Sequence, residues 1–171
     1  IENLPSQYHA SAQAPRLDPI QRIERAETFF AATGITTIHG GNMACYSVTQ
    51  DQIRMPLIET FRDAPSYYAT LGHEQIHATR HSSRLDRDFG RKRWGDEGYA
   101  MEELVAELGA AFVCADLALT PEVREDHASY LASWVKVLRN DRRAVFAAAS
   151  HAQKGADYLA GMQKPQEAEA A

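Results

Sequence analysis

His73-Glu74-Gln75-Ile76-His77 sets two imidazoles four residues apart, with a carboxylate directly after the first. On a helix such positions share a face with Cβ atoms about 5–6 Å apart, so two ring nitrogens can reach one ion at about 2.0 Å. Glu74, one step round the helix, is placed to take the proton of a water that attacks a carbonyl carbon. The pattern is the H-E-x-x-H of zinc peptidases, with manganese as the other ion its ligand types would accept.

A catalytic zinc takes three protein ligands and keeps a fourth position for water, so a third donor is needed. His81 would lie roughly 12 Å along the helix axis from His73, too far to share an ion. A metzincin arrangement would need a glycine at position 80 and a histidine at position 83, where this chain has Arg80 and Ser83. Glu102-Glu103-Leu104-Val105-Ala106-Glu107 is the remaining source. Glu103 and Glu107 are an i,i+4 pair of like charge on a segment without Lys or Arg, a placement that a nearby cation would relieve. Glu103 is assigned as the third ligand and Glu107 as an acceptor for the outer ring nitrogen of a ligating histidine. Glu102 or Glu107 could exchange roles with Glu103, and an acidic solvated face is the plain alternative.

The elements that must position these groups follow from periodicity. Ile20, Ile23, Ala26, Phe29 and Phe30 predict a helix over 20–33, ended by Gly34. Segments 35–39, 44–48 and 52–55, separated by turn-forming residues, predict a small sheet. Asp63 and Pro65 open a second helix that carries His73 and His77, and residues 82–98 read as a polar, basic loop. A third helix is predicted over 99–117, with an apolar stripe of Met101, Leu104, Leu108, Ala111, Phe112 and Ala115 and the glutamates at its rim. Two more follow, over 121–138 and 140–160, the latter facing inward through Val145, Phe146, Ala149 and Leu159.

The fold class is therefore α+β, with a small N-terminal antiparallel or mixed sheet and a mainly helical C-terminal part. Residues 1–19, with three prolines, read as a linker or extended arm, 20–163 as one domain and 164–171 as a disordered tail. The chain opens at Ile1 in polar sequence, as if processed or cut from something longer. With 171 residues, 44% of them hydrophobic, it can bury one sizeable core. A net charge of -5 argues against a wholly basic nucleic-acid binder. Two cysteines, Cys45 and Cys114, cannot make a disulfide framework, which suits a reducing cytoplasm. No apolar run reaches the ~18 residues of a membrane span.

Three further features could serve function. Arg80, Arg84, Arg87, Arg91, Lys92 and Arg93 face only Asp86 and Asp88 across that loop, a local excess in which Arg84, Arg87, Arg91 and Arg93 could steer DNA or an acidic peptide. A solvated loop is the plainer reading. Residues 44–55 could form a hairpin whose edge pairs with extended substrate backbone, or an ordinary strand pair. His151 and Tyr99 could stabilise an oxyanion, although each is more often a packing or capping residue.

Four segments carry a resemblance: 73–77; Ser83-Arg84-Leu85-Asp86-Arg87; Tyr99-Ala100-Met101 through the glutamates to Phe112; and Ala148-Ala149-Ser150-His151-Ala152. From about Ile20 to Gln163 the chain resembles the C-terminal metallopeptidase domain of the ArdC antirestriction family, related to TraC-type plasmid proteins. The resemblance implies a zincin-like, gluzincin-type fold with a metal held by two histidines and an acidic residue. It also implies a polypeptide substrate, a preceding domain that binds single-stranded DNA, and a role in protecting DNA during plasmid conjugation. Ala78 and Thr79 stand where the family pattern has a bulkier residue after the second histidine, a difference in the pocket wall. A non-catalytic, zinc-braced module associated with DNA is the competing function.

Overall fold

The computed structural model describes residues 22–90, 96–120 and 143–163. The first helix, α1 (Glu24–Ala32), starts with Glu24 and Glu27 in its first turn, where carboxylates complement the helix dipole. It ends at Thr33, whose hydroxyl donates to Phe30 O, and the chain then turns through Gly34 at φ +64°.

Three short strands follow: β1 (Thr37–His39), β2 (Cys45–Ser47) and β3 (Gln52–Met55). The order is β1-β3-β2, with β3 parallel to β1 and antiparallel to β2, so the sheet is mixed. The hairpin expected over 44–55 is present, and its turn needs Asp51 at φ +47°. Ile53 and Met55 point into the core while Arg54 between them faces out, the period of two expected of a half-buried strand.

After a 3-10 turn at Ile58–Thr60, α2 (Ala64–Ala78) runs through the middle of the molecule. Asp63 caps it, accepting from Ser66 N at 2.7 Å, and Pro65 occupies its first turn. Of its 15 residues 12 are buried, so it behaves as a central helix. Two helices flank it, α3 (Glu97–Asp116) and α4 (Ala144–Gly161), and α3 is capped by Asp96 accepting from Tyr99 N at 2.8 Å. Close approach is permitted by glycine. A Cβ at Gly109 of α3 would stand 2.8 Å from Ile76, and one at Gly155 of α4 would stand 3.2 Å from it. Ile76, fully buried between the two histidines of the motif, thus sits in a notch made by both flanking helices.

Several predicted features shift. The buried residues of α3 are Tyr99, Ala100, Glu102, Glu103, Leu104, Val105, Ala106, Gly109, Ala110, Val113 and Cys114; of the predicted stripe Leu104 is among them, Met101, Leu108 and Phe112 pack against the core half-buried, and Ala111 and Ala115 are exposed. Beside its apolar residues this face carries alanines, a glycine and two carboxylates, which hydrophobic periodicity does not register. On α4 the buried line is Ala144, Ala148, Ala152, Gly155, Ala156 and Leu159, and Phe146 is 75% exposed. The predicted arm at 1–19, helix at 121–138 and tail at 164–171 lie outside the described residues. No helix among the described residues is long and apolar enough to cross a membrane.

Candidate metal centre

The rings of His73 and His77 meet edge to face, centroids 4.7 Å apart, and their Nε2 atoms are 3.1 Å from one another. The carboxylate of Glu103, brought over by the α2–α3 crossing, lies 3.5 Å from His73 Nε2 and 3.6 Å from His77 Nε2. These three side chains are the group of potential metal ligands found among the described residues, with ligand atoms all within 4.8 Å of each other. Tetrahedral ligands about 2.0–2.1 Å from a zinc are roughly 3.3–3.4 Å apart, so the spacing and the two-imidazole, one-carboxylate donor set fit such an ion.

The outer nitrogens are also met by carboxylates. Nδ1 of His77 is hydrogen-bonded to Glu102 Oε1 at 3.1 Å. Nδ1 of His73 is 3.1 Å from Glu107 Oε1, close enough for an ion pair but not aligned as a hydrogen bond. Holding the outer nitrogens in this way turns both Nε2 atoms toward Glu103. Glu74 is buried on the same helix, and its charge acts on His77.

Burial disfavours charge at every one of these groups, yet their mutual attraction prevails. Burial alone would lower His77, but hydrogen bonds with Glu102 and Glu103 and the charges of Glu103 and Glu74 push it up to about 10. His73 is raised in the same way, with Glu103 and Glu107 overcoming its burial. Conversely Glu103, despite its burial, is held well below the usual carboxylate range by the two histidines, and Glu102 is lowered by Arg87 and His77. The site is therefore a compact set of mutually attracting groups in which protons and an ion would compete for the histidine nitrogens.

Glu102 and Glu103 are 3% and 7% exposed, so neither stands at a rim. For Glu102 the charge that compensates this depth is Arg87. Expected on a basic loop, it is only 6% exposed and donates to both oxygens of Glu102, at 2.9 and 2.8 Å, to Thr79 Oγ1 and to the carbonyl of Ile76. Arg84 is likewise committed, forked onto Asp51 at 2.8 and 3.0 Å and bonded to Ala78 O. It fastens the β2–β3 turn to the end of α2, with Tyr46 donating to the same aspartate. Neither is the solvated cation envisaged for DNA: Arg87 is paired with the buried Glu102, and Arg84, its own side chain largely buried, with the partly exposed Asp51. Arg91 and Arg93 lie outside the described residues.

Of the other candidates, Tyr99 is buried one turn before Glu103. His151 packs edge-on against Phe89 at 5.0 Å, and burial, Lys154 and Arg87 lower its affinity for a proton. Neither belongs to the three-residue cluster. What the sequence reading missed is the Arg87–Glu102 pair and the glycine notch. Glu102, Glu103 and Glu107 on a helix without a cation, preceded by a run of arginines, and Gly109 and Gly155 in mid-helix are the signals available in the sequence.

Known proteins place this geometry. The antirestriction protein ArdC of plasmid R388 has the same architecture: its Mn(II)-bound structure aligns with a TM-score of 0.77 at 40% identity, covering 97% of this chain and 60% of that one. The metal-free structure of the same protein gives 0.72 at 44% identity, covering 95% and 57%. In sequence, the y4eC protein of Sinorhizobium fredii is 50% identical over 151 residues, 88% of this chain and 49% of its own length. A DNA primase TraC of Escherichia coli is 38% identical over 162 residues, 90% of this chain and 15% of its own. The chain thus spans half or less of the length of these curated relatives. Residues 24–151, which include every described ligand candidate, match the zincin-like metallopeptidase family, and the chain belongs to it.

Proposed function

We propose that this chain is a metallopeptidase domain that cleaves peptide bonds, with His73, His77 and Glu103 as ligands of one zinc, or of manganese as in the R388 neighbour. The observation that carries the reading is the buried triangle of two Nε2 atoms and one carboxylate, each histidine met at its outer nitrogen by a further carboxylate. Bound there, a divalent ion would supply the Lewis acidity that lowers the pKa of water and polarises a carbonyl. Glu74 accepts the proton of the attacking water and returns it to the leaving amine as the C–N bond breaks. Glu102 and Glu107 keep the imidazoles in the tautomer that presents Nε2.

The lengths and names of the relatives support a setting within a longer protein that acts on plasmid DNA. There the domain would serve antirestriction during conjugation, with single-stranded DNA held by a part outside this chain and a polypeptide as the substrate of the metal site.

The depth of the site also suits a second reading, in which the metal only braces α2 against α3. Glu74→Gln separates the two. Gln keeps the shape but accepts no proton, so hydrolysis of an unfolded protein substrate should fall at least ~100-fold while metal content and melting temperature hold. Wild-type protein that binds metal yet cleaves nothing, with Glu74→Gln indistinguishable from it, would favour the brace.

A further inference from the structure

Arg87 is placed as few arginines are. It comes from the stretch between α2 and α3, yet its guanidinium is buried and its side-chain bonds fall on the last turn and C-cap of α2 and on α3. Toward α2 it donates to Ile76 O and to Thr79 Oγ1, both at 3.0 Å, residues that bracket His77 in the chain. Toward α3 it grips Glu102 through a two-pronged fork, Nε to Oε2 and Nη2 to Oε1. Oε1 is the same atom that meets His77 Nδ1 at 3.1 Å.

A carboxylate held by both oxygens in a planar fork has its plane fixed, and with it the direction of its remaining lone pairs. We propose that Arg87 is a positioning residue for the metal site: by clamping Glu102 to the end of α2 it aims Oε1 at His77 Nδ1 and so turns His77 Nε2 toward the ion. This role rests on the metal-site reading above. It adds to that reading a residue assigned neither as ligand nor as base, and it removes Arg87 from any DNA-contacting surface. Lysine could supply the charge but not the fork.

The role differs from simple bracing in what it couples. A brace lowers stability when removed and leaves the affinity of the folded protein for metal unchanged. A positioning residue lowers affinity, and does so only through Glu102. The test is zinc affinity of the metal-free chain, measured by competition with a chromophoric chelator alongside thermal melting, for Arg87→Met, Arg87→Lys, Glu102→Leu and the Arg87→Met/Glu102→Leu double variant. Arg87→Met and Glu102→Leu should each weaken zinc binding by about 10–100-fold, the range for an outer partner of a ligating histidine. The double variant should bind no more weakly than Glu102→Leu alone. Its melting temperature should nevertheless exceed that of both single variants, because no buried charge is left unpaired. Arg87→Lys should weaken binding less than Arg87→Met, and it carries the test if the Met variant does not fold. Wild-type affinity in Arg87→Met or Arg87→Lys, or losses that multiply in the double variant, would overturn the proposal while leaving the metal site standing. Wild-type protein that takes up no zinc would overturn the metal-site reading, and this role with it.

Discussion

His73 and His77 stand four residues apart on one helix and face the same glutamate, but their outer nitrogens live in different surroundings. His77 has an aligned hydrogen bond to Glu102, which is buried and gripped by Arg87. His73 meets Glu107, a less buried carboxylate, off the hydrogen-bond axis. One imidazole belongs to a hydrogen-bonded network that joins α2 to α3; the other meets a single carboxylate one turn further along α3. The difference teaches that the i,i+4 spacing supplies only the approximate convergence of the two rings. Their final orientation comes from α3 and the connection before it, and it is tighter on the His77 side.

The comparison can be broken most violently at the point both histidines share. Glu103→Ala removes the carboxylate that faces both Nε2 atoms, and metal affinity should fall by more than ~100-fold, beyond what the loss of an outer partner causes. Equilibrium dialysis against zinc checks it; tight zinc binding by Glu103→Ala, with loss in Glu107→Ala, would move the third ligand one turn along α3.

A milder pair of substitutions sharpens the asymmetry. Glu102→Gln and Glu107→Gln each keep side-chain size and remove charge, and both should weaken zinc within about 10–100-fold. Glu102→Gln should be the worse of the two, since it also strands the buried Arg87. Equal losses, measured by the same chelator competition, would mean that both rings are held alike.

The smallest expected effect tests the crossing beneath them. Gly109→Ala drives a methyl to within 2.8 Å of Ile76, which has Gly155 of α4 behind it and little room to retreat. Overpacking of this kind costs about 1–3 kcal/mol, partly offset by roughly 1 kcal/mol of improved helix propensity. A net loss of melting temperature with only a few-fold change in zinc affinity is expected. A stabilised variant would show that α2 and α3 can separate freely.

These same residues show why only part of the molecule was legible in its sequence. The H-E-x-x-H spacing, the glutamate helix, the Asp63 cap and the three strands are local signals, each expressed within a few residues, and the structure has them near where they were expected. The strand order was not local: β1 and β2 flank β3 because the sheet closes on Ile53 and Met55, a choice made by the core and not by the turns. The buried face of α3 was legible only in part: Leu104 is buried as its stripe predicts, but the Ala, Gly and Glu residues beside it give no apolar signal, and their burial goes with the close approach of Ile76 and the charge of Arg87. Arg87 itself read as solvated because a basic run in sequence carries no mark of which member turns inward. The roles of the individual residues are read most directly by a measurement of metal binding.

That measurement is isothermal titration of zinc into the metal-free chain across pH, in buffers of differing ionisation enthalpy. His77 is raised from an ordinary 6.5 to about 10, and His73 is raised as well. The ion pairs they make therefore stabilise the metal-free fold fully below pH 6.5 and lose that contribution as the pH climbs through about 10. The depressed value of Glu103 works the other way: its contribution is present above an ordinary 4.5 and lost as the pH falls toward its folded value. Zinc must displace the histidine protons, so binding at pH 7.5 should release about one to two protons per ion and tighten as the pH is raised. The predicted result is about one zinc per chain with that proton release, abolished by His73→Ala and by His77→Ala. No uptake, or uptake without proton release that survives loss of either histidine, would contradict the account at its centre.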